Sequence, residues 1–153
     1  MALFLVQHGI SNPKEIDPNQ GLSDKGFEKV KLIAKVAKNY NVRASCIHHS
    51  VKKRAKQTAE IFAESLNPSM GIIETQGLKP MDDPISFAEN ISVQDNLMLV
   101  GHLPFMEKMA AYLITGSIKK PVFKFQNSGI VCLDELPEPY LWVIKWAVMP
   151  EIG

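Results

Sequence analysis

Two imidazoles stand directly after two apolar runs. His8 follows LFLVQ and His102 ends the segment LMLVGH. Short unbroken apolar runs read as strands covered on both faces. In open α/β sheets, ligands bind beyond the carboxyl ends of the strands. Two such strands side by side and parallel would present both imidazoles at one edge, facing one crevice. An imidazole pair there suits phosphoryl transfer. A neutral ring nitrogen can attack phosphorus and hold the group as a phosphoramidate, which splits one hard transfer into two easier ones. The group in transfer spreads negative charge over its oxygens, so cationic and N–H donors must already be in place. Arginine is the preferred clamp, because its planar fork matches two oxygens at once. Arg54 is the candidate, just after the HHS stretch that closes another strand-like run. Ser11 and Asn12, on the loop after His8, are further candidate donors to a phosphate.

The elements that must position these groups alternate along the chain. Residues 2–7 read as a buried strand. Residues 8–22 hold Gly9, Pro13, Pro18 and Gly21 and read as a loop. Ser23 has the chemistry of an N-cap, and Phe27, Val30, Ile33, Ala34, Ala37 and Tyr40 recur at helical spacing after it. The lysines between them read as a solvated face. Strand-like 44–48 precedes a helix over 52–66, and a short strand is expected at 70–74. Pro80, Asp82, Asp83 and Pro84 mark a loop before a helix at 85–93. Strand 97–101 is followed by Pro104, suited to a first helical turn, and a helix to about Ile114. The remainder, 121–149, reads as three strands: VFKF, IVCLDEL and YLWVIKWAV. In the last, Trp142 and Trp146 are four apart and are expected on one face. The alternation predicts an α/β sandwich of three layers around a mostly parallel central sheet.

Composition narrows the function classes. The 153 residues fit one domain spanning 1–153, long enough to bury a core without metal or disulfide help. A net charge of +1 argues against a broad surface for nucleic acid or anionic lipid. No segment approaches the ~20 apolar residues of a membrane span. The N-terminal run is too short for a signal peptide, so a cytoplasmic location is the default expectation. Cys46 and Cys132 sit in apolar runs and read as buried thiols. Adjacent His48 and His49 would point to opposite faces of a strand, which disfavours a shared metal.

Four segments taken together resemble a known family. LVQHG around His8 is similar to the Arg-His-Gly signature of the histidine phosphatase (phosphoglycerate mutase-like) superfamily. GLSDKG at 21–26 resembles its lead-in to the first helix. SVKKRAKQTA at 50–59 resembles its Ser-x-x-x-Arg-Ala-x-Gln-Thr-Ala segment, and VGHLP at 100–104 its second-histidine segment. The short length, without an inserted lid, looks most like the SixA-type phosphohistidine phosphatases. The resemblance implies that His8 is the phosphorylated nucleophile, that Arg54 clamps the phosphate, and that His102 donates a hydrogen bond to it. It implies no metal and no cofactor. The partner it implies is a phosphorylated protein (phosphohistidine) or a small phosphate ester. The chain would act as a monomer, or as a homodimer through a YLWVIKWAV edge.

Two positions depart from the family pattern. Gln7 stands where the family has arginine, offering an amide donor without charge. Losing a charged partner of a buried phosphate costs about 2–5 kcal/mol. Lys14, Lys52 and Lys53 are nearby cations that could compensate. The general acid is also unassigned: Asp83, then Asp82, are the candidates in KPMDDP. A phosphohistidine needs less acid help than an ester, since its P–N bond is labile. Two readings are therefore open. One is a phosphohistidine or small phosphomonoester phosphatase acting through His8. The other is a catalytically impaired module that keeps the anion pocket and binds a phosphorylated protein.

Overall fold

The computed structural model describes residues 2–90, 96–138 and 141–152. In chain order the elements are β1 (Ala2–Gln7), α1 (Asp24–Asn39), β2 (Cys46–His49), α2 (Lys53–Leu66), β3 (Ile72–Glu74), α3 (Pro84–Asn90), β4 (Leu97–Gly101), α4 (Phe105–Thr115), β5 (Ile130–Glu135) and β6 (Trp142–Val148). The strands form a six-stranded sheet in the order β3-β2-β4-β1-β5-β6. β3, β2, β4 and β1 are parallel neighbours, β5 runs antiparallel to β1, and β6 antiparallel to β5. Residues 91–93, the expected end of the helix at 85–93, lie outside the described residues.

Each face of the sheet carries its own core. Phe4, Val6, Ile47, Met98 and Val100 pack against α1 and α2 through Val30, Ile33, Ala34, Ala55, Ala59 and Phe62. Leu3, Leu5, Leu97 and Leu99 face the other way, against Phe105, Met106, Met109 and Ala110 of α4 and Phe87 of α3. The central strands are thus covered on both sides, which is why they read as unbroken apolar runs. The result is the three-layer α/β/α sandwich expected from the alternation. No helix among the described residues is long and apolar enough to cross a membrane.

Three expectations are corrected. VFKF pairs with no strand, because β5 and β6 already occupy the flank beyond β1. Instead Phe125 buries its ring in the α4-side core and meets Phe123 edge-on, with centroids 5.6 Å apart. Trp142 and Trp146 lie on opposite faces. The register slips between Cys132 and Leu133, so Cys132 pairs with Trp146 while Leu133 pairs with Ile144. Lys145 is the extra residue of this β-bulge, and it flips the side-chain alternation. Trp142 therefore enters the α4-side core and Trp146 packs on Phe4, on the α1 side. Tyr40 is the C-cap of α1 and is exposed rather than part of its apolar face.

The loop after β1 is fastened to the start of α1. The Ser23 hydroxyl accepts from the Gly26 N–H at 3.0 Å and caps the helix. The Ser23 N–H donates to the Ile10 carbonyl at 3.0 Å. That carbonyl lies so close to Gly26 that a Cβ there would stand 2.0 Å from its oxygen. Gly9 similarly abuts Val30, whose Cγ2 would be 2.6 Å from an added Cβ. These contacts press the loop holding His8 onto α1 and leave no room for a methyl group. Gly26→Ala is expected to destabilise the fold by about 1–3 kcal/mol, the usual penalty of overpacking. Urea denaturation should show the lowered midpoint, and an unchanged midpoint would mean the loop yields freely.

Candidate active site

The β1–β4 ladder places the two imidazoles. Gln7 lies opposite Gly101, and the His8 N–H extends the ladder by donating to the Gly101 carbonyl at 2.9 Å. His8 and His102 therefore leave neighbouring strands side by side, with ring centroids 4.9 Å apart. Arg54 comes from the first turn of α2, which follows β2 on the other side of β4. Its Nε–H donates to His8 Nε2 at 3.3 Å. The structure thus brings together the three groups singled out in the sequence.

The proton on His8 follows from its partners. Nδ1 lies 2.6 Å from the Gly9 carbonyl, which can only accept, so Nδ1 carries the hydrogen. Nε2 of the neutral ring then keeps its lone pair, as the donating Arg54 Nε–H also requires. Burial pulls His8 down to about 4, partly opposed by the Gly9 carbonyl and aided by the Arg54 charge. Burial likewise lowers His102 to about 3, with His8, Arg54 and Lys52 adding to the effect. Both rings are neutral at physiological pH. His8 therefore presents a free ring nitrogen to a site flanked by a guanidinium.

Several residues outside the predicted set hold this geometry. Arg54, Gln57 and Thr58 share one face of α2 at spacings of three and four. The buried Thr58 hydroxyl accepts from the Gly9 N–H at 3.0 Å and donates to the Arg54 carbonyl at 2.8 Å. Gln57 Oε1 accepts from the Leu22 N–H at 2.7 Å. From the far side, Asn127 Nδ2 donates to the His8 carbonyl at 2.9 Å, and the Ser128 N–H donates to the Gln7 carbonyl at 2.9 Å. Both donors belong to the 127–129 turn. Its grip on His8 is a long-range contact that no local pattern encodes.

The remaining candidates are placed differently. Gln7 is buried, 8% exposed, and its Oε1 has no partner among the described residues; the same holds for Ser128 Oγ and His102 Nδ1. Orphaned buried polar atoms are rare, and these three belong to residues that neighbour His8 in the chain, through a backbone bond or by ring contact. Ser11 pairs with Leu22 as an isolated bridge, and Asn12 bonds to the Gly21 and Leu22 carbonyls, so both brace the loop. Asp83 Oδ1 accepts from the Ile85 N–H at 3.0 Å at the start of α3, and Asp82 Oδ2 from the Lys79 N–H at 2.9 Å. Neither carboxylate bonds to His8, Arg54 or His102. Lys53 pairs with Asp17 at 3.4 Å, and Lys14 and Lys52 are exposed. His48 Nδ1 meets the Thr75 hydroxyl at 2.9 Å, while His49 Nδ1 turns to the Ser50 carbonyl at 2.8 Å.

Comparison with known proteins identifies the family and the fold. Residues 3–82 match the family model of the histidine phosphatase superfamily, branch 1. The chain belongs to the histidine phosphatase superfamily. Its fold is similar to that of the protein histidine phosphatase SixA complexed with tungstate, with a TM-score of 0.80 and 24% identity over 98% of this chain and 97% of that one. A SixA-type protein from Agrobacterium tumefaciens gives a TM-score of 0.77 and 24% identity over 97% of each chain. A mycobacterial glucosyl-3-phosphoglycerate phosphatase gives 0.64 and 13% identity, over 95% of this chain and 97% of that one. With the SixA-type structures the chain shares length as well as fold. No curated protein matches the sequence.

The lowered histidines fix the sign of a pH effect. An unfolded histidine titrates near 6.5, whereas His8 in the fold titrates at about 4. Between those values the unfolded chain binds more protons, so stability falls as pH drops through this window and levels off below it. Urea midpoints measured from pH 7 to pH 4 should show that decline, and His8→Asn should make it shallower, leaving the share that His102 contributes. A decline equally steep in His8→Asn would place the titrating group elsewhere.

Proposed function

We propose that the chain is a phosphatase that takes a phosphoryl group onto His8 Nε2 and releases it to water, with a protein phosphohistidine as its substrate class. The observation that carries this reading is the His8 tautomer: a neutral ring, its proton held by the Gly9 carbonyl and its lone pair beside the Arg54 guanidinium.

In the first step the Nε2 lone pair attacks phosphorus while the bond from phosphorus to the leaving imidazole nitrogen breaks. That imidazole departs neutral if it arrived protonated. In the second step water attacks, the P–Nε2 bond breaks, and the electron pair returns to His8 as inorganic phosphate forms and the water proton is shed. Arg54 neutralises the equatorial oxygens in both steps. His102 and the Gln7 amide supply neutral donors. A phosphohistidine needs no carboxylic acid at the leaving atom, which fits a site whose acidic candidates, Asp82 and Asp83, accept from the backbone N–H groups of Lys79 and Ile85. The name of the tungstate-bound SixA structure points to the same substrate class.

Gln7 favours a second reading, a phosphate-binding module with little turnover. The two separate in one experiment on phosphohistidine and p-nitrophenyl phosphate. Native turnover that His8→Ala abolishes, with Gln7→Arg faster by about one to three decades, supports the enzyme. Phosphate binding without turnover in the native chain supports the module. Unchanged turnover in His8→Ala would sink the His8 intermediate outright.

A further inference from the structure

Ser50 opens the segment that carries Arg54, yet it touches neither the nucleophile nor the clamp. Its side chain is fully buried, as is His102, and its Oγ lies 2.9 Å from His102 Nε2. Either atom can donate in that bond, and a count of partners decides which. Around Ser50 Oγ the described residues offer a second donor, the Lys52 N–H at a long 3.5 Å, and no further acceptor. If His102 Nε2–H donated to Ser50, the serine hydrogen would be buried with nowhere to go, and the lone pair on His102 Nδ1 would be orphaned as well. If Ser50 donates to Nε2, the hydroxyl is satisfied on both sides. The one group left without a partner is then an Nδ1–H, and His102 Nδ1 is indeed buried and unpartnered. Leaving one polar group unpaired instead of two selects the second arrangement. The ring bearing that N–H stands 4.9 Å from the His8 ring.

We infer that Ser50 is a positioning residue: its hydroxyl donates to His102 Nε2, fixes the Nδ1–H tautomer, and so makes His102 a hydrogen-bond donor to a phosphoryl group on His8. The inference rests on the phosphate-site reading for its second half only. Without Ser50 the ring is free to exchange tautomers, and the form protonated on Nε2 would aim a lone pair at the phosphate oxygens. Ser50 thus acts through His102 and does not itself touch the substrate. Threonine keeps the hydroxyl at this position, whereas alanine removes it.

The test has two readouts on the full chain. Long-range proton–nitrogen spectra of ring-labelled histidine report the tautomer directly, with His102→Gln assigning the resonance. The native chain should show His102 protonated on Nδ1, Ser50→Ala should lose that single form, and Ser50→Thr should keep it. An Nε2–H form in the native chain overturns the inference, as does a Ser50→Ala protein with the native tautomer. Inorganic phosphate titrated into the same samples should bind about ten- to a hundredfold more weakly to Ser50→Ala and near-normally to Ser50→Thr. Equal phosphate affinity in all three overturns the donor role. If the native chain binds no phosphate while showing the Nδ1–H form, the phosphate-site reading fails and the Ser50–His102 assignment stands.

Discussion

The parallel pairing of β1 with β4 is the constraint on which the site depends. Its register sets Gln7 opposite Gly101, and the next residue of each strand is a histidine. A slip of one residue would turn every side chain of β1 to the other face and part the rings. The register is held by the two cores, because Leu3 and Leu5 belong to one face and Phe4 and Val6 to the other. Apolar packing along the strands thus decides where His8 stands. Burial then does a second service. The desolvation that completes the core also keeps both imidazoles neutral, and a neutral His8 is the form able to attack phosphorus.

Around that pair the site is built largely from hydrogen bonds that never reach a substrate. Thr58 joins Gly9 to the Arg54 carbonyl, so the loop after β1 and the start of α2 are tied together. Gln57 fixes Leu22, and Asn127 fixes the carbonyl of His8. These bonds cost conformational freedom before any ligand arrives. In return the donors need little reorganisation when charge develops. The segment SVKKRAKQTA is best understood in these terms: Arg54 bonds to His8, and Gln57 and Thr58 tie α2 to the loop after β1.

Much of this was legible in the sequence, and what was not has identifiable causes. Unbroken apolar runs marked β1 and β4, Ser23 marked the start of α1, and His8, Arg54 and His102, singled out by residue type and position, come together in the fold. Those signals are local, and they survive because the core is covered on both faces. The misreadings came from events between distant segments. Trp142 and Trp146 part company because one extra residue, Lys145, bulges against β5, and no pattern inside the strand announces it. VFKF has strand propensity, but no free sheet edge lies beside it. Asn127 reaches His8 across 119 positions of chain, beyond any spacing rule.

Gln7 is the point where stability and catalysis pull against each other. The position is nearly closed to solvent, and the Arg54 guanidinium already bonds the nucleophile beside it. A second guanidinium there would be a buried charge near a like charge, costly whenever no anion is bound. A glutamine avoids that cost and keeps an N–H donor. The charge it gives up must be supplied by the ligand's other contacts or go unsupplied. Lys53 is unsuited to help, being tied to Asp17, while the field of exposed Lys52 reaches His102. A substrate that brings its own positive charge on the leaving ring needs the least help of all. A protonated phosphohistidine, the substrate class proposed above, brings that charge with it.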